Sequence, residues 1–100
     1  MELWIRSQDK EKLLKISGIQ YQNCKLVENE TVEANILIGF YSSYENEILG
    51  EYNTKERAIE ILNEIQNKML NGVFAKKING LGEELDLIPN PILIYNMPEN

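Results

Sequence analysis

Ala58, Ile61, Leu62, Ile65 and Met69 recur at i, i+3, i+4, i+7 and i+11, one apolar stripe on a 3.6-residue period. Lys55, Glu56, Glu60, Asn63, Glu64, Asn67 and Lys68 fill the opposite side. Thr54 stands where an N-cap hydroxyl is wanted, and Asn71-Gly72 offers a stop, because both residue types tolerate a left-handed backbone. The pattern predicts a helix over 55–70.

Elsewhere the period is two. Leu3-Trp4-Ile5-Arg6 and Leu13 to Gln22 flank the polar stretch Gln8-Asp9-Lys10-Glu11, which predicts a hairpin. Within the second strand, Leu14 and Ile16 share one face, while Ile19 and Tyr21 continue on the other parity after Ser17-Gly18. A bulge at Gly18 re-phases such a strand; two short strands with a bend are the alternative. Ile36 to Tyr41 is apolar on both faces and reads as a central strand, pairing across Ser42-Ser43-Tyr44-Glu45-Asn46 with Ile48 to Tyr52. Ile92 to Met97, bounded by Pro91 and Pro98, is a last strand, its prolines at the ends where a missing N–H does least harm. The acidic stretch 23–35 reads as a loop, with a short strand at Lys25-Leu26-Val27 as an option.

The expected fold is α+β: an antiparallel four- to five-stranded sheet packed on one long helix, in the order β-β-β-β-α-β. One hundred residues fit a single domain spanning 1–100. Between the helix and the last strand, residues 73–91 hold Gly80, Gly82, Pro89 and Pro91 beside Leu81, Leu85, Leu87 and Ile88. This predicts an ordered, partly packed excursion with a short helical turn near Glu83–Leu87. Long connections of this kind often carry function.

Composition mainly excludes. The chain has no His, which removes Ser-His-Asp and Cys-His catalysis and the usual Zn²⁺ ligand. Cys24 is the one cysteine; a lone thiol with no His to deprotonate it reads as an inert side chain in a reducing compartment. Gly80-Leu81-Gly82 lacks the context of a nucleotide-binding motif, and Asn29-Glu30-Thr31 matches the glycosylation pattern without consequence in a cytosolic chain. No basic-then-apolar leader opens the sequence and no apolar run is long enough to span a bilayer, so a cytoplasmic location is expected. The net charge of -6 is spread over both halves with no basic stripe, which disfavours nucleic acid and anionic membranes as partners. No cofactor and no metal is expected, and no catalytic residue can be named.

Two groups could carry a function. Glu45, Glu47 and Glu51 lie around one strand, and Glu47 and Glu51 share parity, so they are expected on one side. Paired acids bind metal or do acid–base work only if they converge in a cleft. The tyrosines are the stronger group. Tyr41, Tyr44, Tyr52 and Tyr95 are the candidate partner-binding residues, since Tyr is common at interface hot spots. Surface around Phe40, Tyr41 and Tyr95 lacks an obvious cover, and a two-fold homodimer would bury it.

Leu49-Gly50-Glu51-Tyr52-Asn53-Thr54-Lys55-Glu56-Arg57-Ala58 runs into Ile61-Leu62-Asn63-Glu64-Ile65-Gln66. With Leu3-Trp4-Ile5-Arg6-Ser7-Gln8-Asp9-Lys10 and Tyr95-Asn96-Met97-Pro98-Glu99, this resembles small uncharacterised proteins of low-GC Gram-positive bacteria (Firmicutes) and their phages. The Ile-, Asn-, Lys- and Glu-rich composition agrees. The resemblance leaves out residues 23–35 and 73–90 and implies a fold, a phage or mobile-element setting, and no activity or site residue. The expected function is therefore a non-enzymatic binding module that self-associates. The alternatives are an acidic mimic of nucleic acid, presenting Glu28, Glu30, Glu33, Glu45, Glu47 and Glu51 to a nuclease, and, last, a carboxylate- or metal-dependent enzyme.

Overall fold

Alternation of Leu3 and Ile5 with Glu2, Trp4 and Arg6 builds the first strand, β1 (Glu2–Arg6), in a computed structural model that describes residues 2–79 and 92–100. β1 pairs antiparallel with β2 (Leu13–Ile16), setting Leu3 opposite Ile16 and Ile5 opposite Leu14. The connecting turn is organised by Ser7. Its N–H donates to Lys12 O at 2.9 Å, its hydroxyl donates to Asp9 Oδ1 at 2.5 Å, and it accepts from the Lys12 N–H at 3.1 Å. Ser7 is thereby buried without an unsatisfied side-chain atom. The Ser7 hydroxyl, followed by the Glu11 N–H, holds the Asp9 carboxyl below its ordinary range.

At Ser17 the chain leaves this sheet. Both its N–H and its hydroxyl donate to Phe40 O, at 2.7 and 2.9 Å, and the next residues start a second antiparallel sheet. That sheet holds β3 (Gly18–Val27), β4 (Glu30–Phe40) and β5 (Asn46–Tyr52) in this order. The continuous bulged strand expected over 13–22 gives way to its alternative, two strands broken at Ser17, and the two belong to different sheets. The expected loop at 23–35 is a hairpin. Glu28 and Asn29 take φ of 51° and 68°, the pair of positive φ values that a tight hairpin turn requires, and Val27 faces Glu30 across it.

β6 (Ile92–Asn96) lies parallel to β1, with Leu3 beside Leu93 and Ile5 beside Tyr95. The strand order is β2-β1-β6 in one sheet and β3-β4-β5 in the other. The fold is α+β as expected, but two three-stranded sheets replace the single four- to five-stranded one, and one pairing is parallel.

The helix α1 spans Lys55–Asn79. Thr54 caps it, its Oγ1 accepting from the Arg57 N–H at 3.1 Å. The expected stop at Asn71-Gly72 does not end it: an interior glycine costs a helix about 1 kcal/mol, and the α-helical backbone runs seven residues past Gly72. The rest of the 73–91 connection, including the turn expected near 83–87, lies outside the described residues.

Ala58, Ile61 and Ile65 of α1 meet Ile5, Ile16, Leu37, Leu49, Tyr52, Tyr95 and Met97 in one core shared by both sheets. Burying side chains of the size of Ile5, Leu37, Leu49 and Ile61 contributes about 1.5–3 kcal/mol each. Gly39 is required by that packing, since a Cβ there would stand 2.8 Å from both Ile16 Cδ1 and Leu49 Cδ1. On the opposite face of β4, Ala34, Ile36 and Ile38 form a separate buried cluster with Phe40 beside it. By register, Glu51 stands next to Ile36 and Lys25 next to Val32 on this outer face, where the two charges pair.

Gln8 ties the sheets together. Its backbone N–H donates to Leu49 O at 2.8 Å, its Nε2 to Glu51 O at 2.9 Å and Glu99 O at 2.8 Å, and its Oε1 accepts from the Glu51 N–H at 2.8 Å. A side-chain amide here does what a neighbouring strand would do, and it covers the free edge of β5.

Candidate interaction surfaces

A hollow between the sheets and the helix follows from the crossing at Ser17. Because β2 and β3 part company there, a wedge opens between the two sheets, and the stripe of α1 does not fill it. The groove measures about 490 Å³. Leu3, Ile16 and Ile19 form its sheet side, and Leu62, Ile65 and Met69 its helix side, with Leu70 and Gln66 at the rim and Ser17-Gly18 in the wall. Ile16 and Ile65 are buried, Leu3, Ile19, Leu62 and Met69 half-buried, and Leu70 is 49 % exposed. The hydroxyl of Ser17 is committed to Phe40 O. Among the described residues no acid or base lines the groove. A Cβ built on Gly18 would meet nothing within 4 Å.

The four tyrosines do not form one patch. Tyr41 (37 % exposed) and Tyr44 (95 % exposed) belong to the β4–β5 turn, where Ser42 Oγ accepts from the Tyr44 and Glu45 N–H groups. Tyr52 and Tyr95 are core residues. The Tyr52 hydroxyl donates to Pro98 O at 2.9 Å and burial pushes it up to about 12. The Tyr95 hydroxyl donates to Glu64 Oε1 at 3.1 Å and is raised by burial and then by that carboxylate. The expected surface joining Phe40, Tyr41 and Tyr95 is overturned, because Phe40 lies on the outer face of β4 and Tyr95 in the core.

The acids do not converge either. Leu49 is an extra residue in β5, and the register shifts between Leu37 and Ile38. Glu47 consequently faces Gly39 while Glu51 faces Ile36, on opposite sides of the sheet. Glu47 pairs with Lys12, whose ammonium it holds above its ordinary range, and Glu51 pairs with Lys25. Glu28 and Glu30 sit at the tip of the β3–β4 hairpin and Glu45 at the other end of β4, roughly 36 Å away at ~3.3 Å per residue. Among the described residues no group of three or more His, Cys, Asp or Glu is placed to hold a metal ion. Cys24 is partly buried opposite Glu33. No described helix is long and apolar enough to cross a membrane.

Sequence reasoning found the helix side of the groove in the Leu62, Ile65 and Met69 stripe. It missed the sheet side, because Ser17-Gly18 signalled a bulge within one strand rather than a change of sheet. No known protein family, curated protein or solved structure matches the chain.

Proposed function

We propose that this protein is a non-enzymatic binding module that takes up an apolar side-chain group of a protein partner in the groove between α1 and the β2–β3 crossing. The observation that carries this reading is the groove itself. Its volume falls in the range of roughly 300–1,000 Å³ typical of binding sites, its walls are apolar on both sides, and the polar side chains among its described lining are a committed hydroxyl and a rim amide. Such a surface supplies hydrophobic burial and shape and offers no general acid, base or nucleophile. The flexible thioether of Met69 suits a wall that adapts to what it holds.

Leu70→Gln provides the test. Leu70 lines the groove at its rim and is 49 % exposed, so the substitution removes apolar wall while the fold stands. Wild-type protein should bind an apolar dye such as anilinonaphthalene sulfonate at one site under native conditions, and Leu70→Gln should bind it severalfold more weakly at an unchanged melting temperature. Partners that co-purify with the wild type should be lost from the same variant. Equal dye binding by both proteins, or none by the wild type, rejects the groove as the site.

A further inference from the structure

Four strands expose an edge in these sheets, and three of the four edges are guarded. β2 is four residues long and carries Lys15. β3 is interrupted by a register shift between Gln22 and Cys24 and carries Lys25. β5 is bulged at Leu49, carries Glu47 and Glu51, and is covered by the Gln8 amide. Short length, charge, bulges and covering groups are the devices by which proteins keep sheet edges from pairing with other chains. β6, Ile92-Leu93-Ile94-Tyr95-Asn96, is the exception among the described residues: it contains no charged residue, its register with β1 is unbroken, and no described group covers its outer edge.

The direction of its backbone groups follows from the ladder. The Met97 N–H donates to Arg6 O at 3.0 Å. In a parallel pair, alternate residues turn both N–H and C=O toward the same neighbour, so Leu93, Tyr95 and Met97 face β1. Ile92, Ile94 and Asn96 therefore direct their N–H and C=O groups to the open edge, where they take no partner among the described residues. Their side chains stand on the outer face of the sheet, with Ile92 63 % and Ile94 58 % exposed.

The geometry points to a second copy of this chain as the occupant, its β6 pairing antiparallel with this β6 about a two-fold axis through Ile94. The register is self-consistent. Ile94 meets Ile94 of the partner subunit, Ile92 meets the partner's Asn96, and each of these pairs joins residues whose amides already point outward, so each exchanges two hydrogen bonds. On the outer face the isoleucines cover one another; on the core face Leu93 comes opposite the partner's Tyr95. The sheet becomes β2-β1-β6 continued through its own copy, an isologous contact of the kind closed dimers use. Charge selects the same strand. Two chains of net charge -6 repel over most of their surfaces, and β6 is the strand that brings no charged side chain to the contact.

This inference does not depend on the groove, and its test is separate. Sedimentation of the full chain at 10–100 µM should show a monomer–dimer equilibrium that shifts toward dimer as salt screens the repulsion. Ile94→Lys sets two ammonium groups across the axis and should weaken association more than tenfold, with the far-ultraviolet spectrum and melting temperature of the isolated subunit unchanged. Ile48→Lys, at a position 47 % exposed on the outer face of the other sheet, should leave association as it is. A wild type that stays monomeric at 100 µM overturns the inference, as does a dimer that Ile48→Lys dissociates and Ile94→Lys does not.

Discussion

Replacing Gln8 by Ala tests how the two sheets are held in register with one another. The substitution deletes three side-chain hydrogen bonds, two to the backbone of Glu51 and one to Glu99 O, and leaves the Gln8 N–H bond to Leu49 O in place. Net contributions of such bonds run at about 0.5–1.5 kcal/mol each. The lower half of that range applies, because water reaches these partly exposed groups and replaces part of what is lost. The expected destabilisation is about 2 kcal/mol, which lowers the melting temperature of a domain this size by roughly 10 °C. Gln8→Glu sharpens the reasoning. Its carboxylate still accepts from the Glu51 N–H but confronts the Glu51 and Glu99 carbonyl oxygens, so folding favours the protonated form and raises the folded-state pKa. The variant's stability is then fully present below the unfolded carboxyl value near ~4.3 and is lost as pH rises through the folded value. Thermal melts of wild type, Gln8→Ala and Gln8→Glu at pH 4 and pH 7 read both effects. A Gln8→Ala protein within about 0.3 kcal/mol of wild type, or a Gln8→Glu protein as stable as wild type at pH 7, refutes the bridging role, since neither outcome fits bonds of ordinary worth.

Gly39→Ala should destabilise by about 1–3 kcal/mol, because the added methyl lands 2.8 Å from Ile16 Cδ1 and Leu49 Cδ1; urea unfolding measures it, and a shift too small to detect would show that the core gives way at that point. Tyr52 and Tyr95, whose folded pKa values lie above the unfolded value near ~10, contribute stability that is present below pH 10 and is lost as pH rises through about 12 for Tyr52. Absorbance titration at the phenolate band should show a late-ionising component that shrinks in Tyr52→Phe and again in Tyr95→Phe. Lys25→Ala should cost no more than about 1 kcal/mol, since its pair with Glu51 is partly exposed, whereas Leu37→Ala, fully buried in the core, should cost about 2–5 kcal/mol; comparable losses in the two would mean that the outer face matters as much as the core.

Much of this fold is readable from residue spacing. The helix stripe, its Thr54 cap, the central strand around Ile36 to Phe40 and the last strand at Ile92 all follow from period and punctuation, because each element buries one stripe or face against the same core. What spacing does not carry is which sheet a strand joins. Ser17 looks like any polar residue beside a glycine; its role depends on Phe40 O, more than twenty positions away. Parity fails for a related reason. Glu47 and Glu51 are four apart, yet the extra residue at Leu49 turns them to opposite faces, and a bulge within an apolar run leaves no mark on composition. The hairpin at Glu28-Asn29 is hidden because a glutamate occupies a positive-φ position that usually goes to Asn, Asp or Gly. The tyrosines misled because a strand's two faces look alike until its neighbours are known, and β6 proved to have its core face on Tyr95. The free edge of β6 is legible in part: a run without charge can be seen, but that it lies at a margin cannot.

The parallel pairing of β1 with β6 also sets a clock. Glu2 lies beside Ile92, ninety positions further along the chain. At ~5–20 residues per second of synthesis, β1 waits roughly 5–18 s for that neighbour while the β1–β2 hairpin can close almost at once. During this interval Leu3, Trp4 and Ile5 hold one open flank in a growing chain, where any other strand can take the place meant for β6. The complete β2-β1-β6 sheet therefore has to wait until Ile92–Asn96 has been made, so its formation is timed by elapsed synthesis as well as by contact strength.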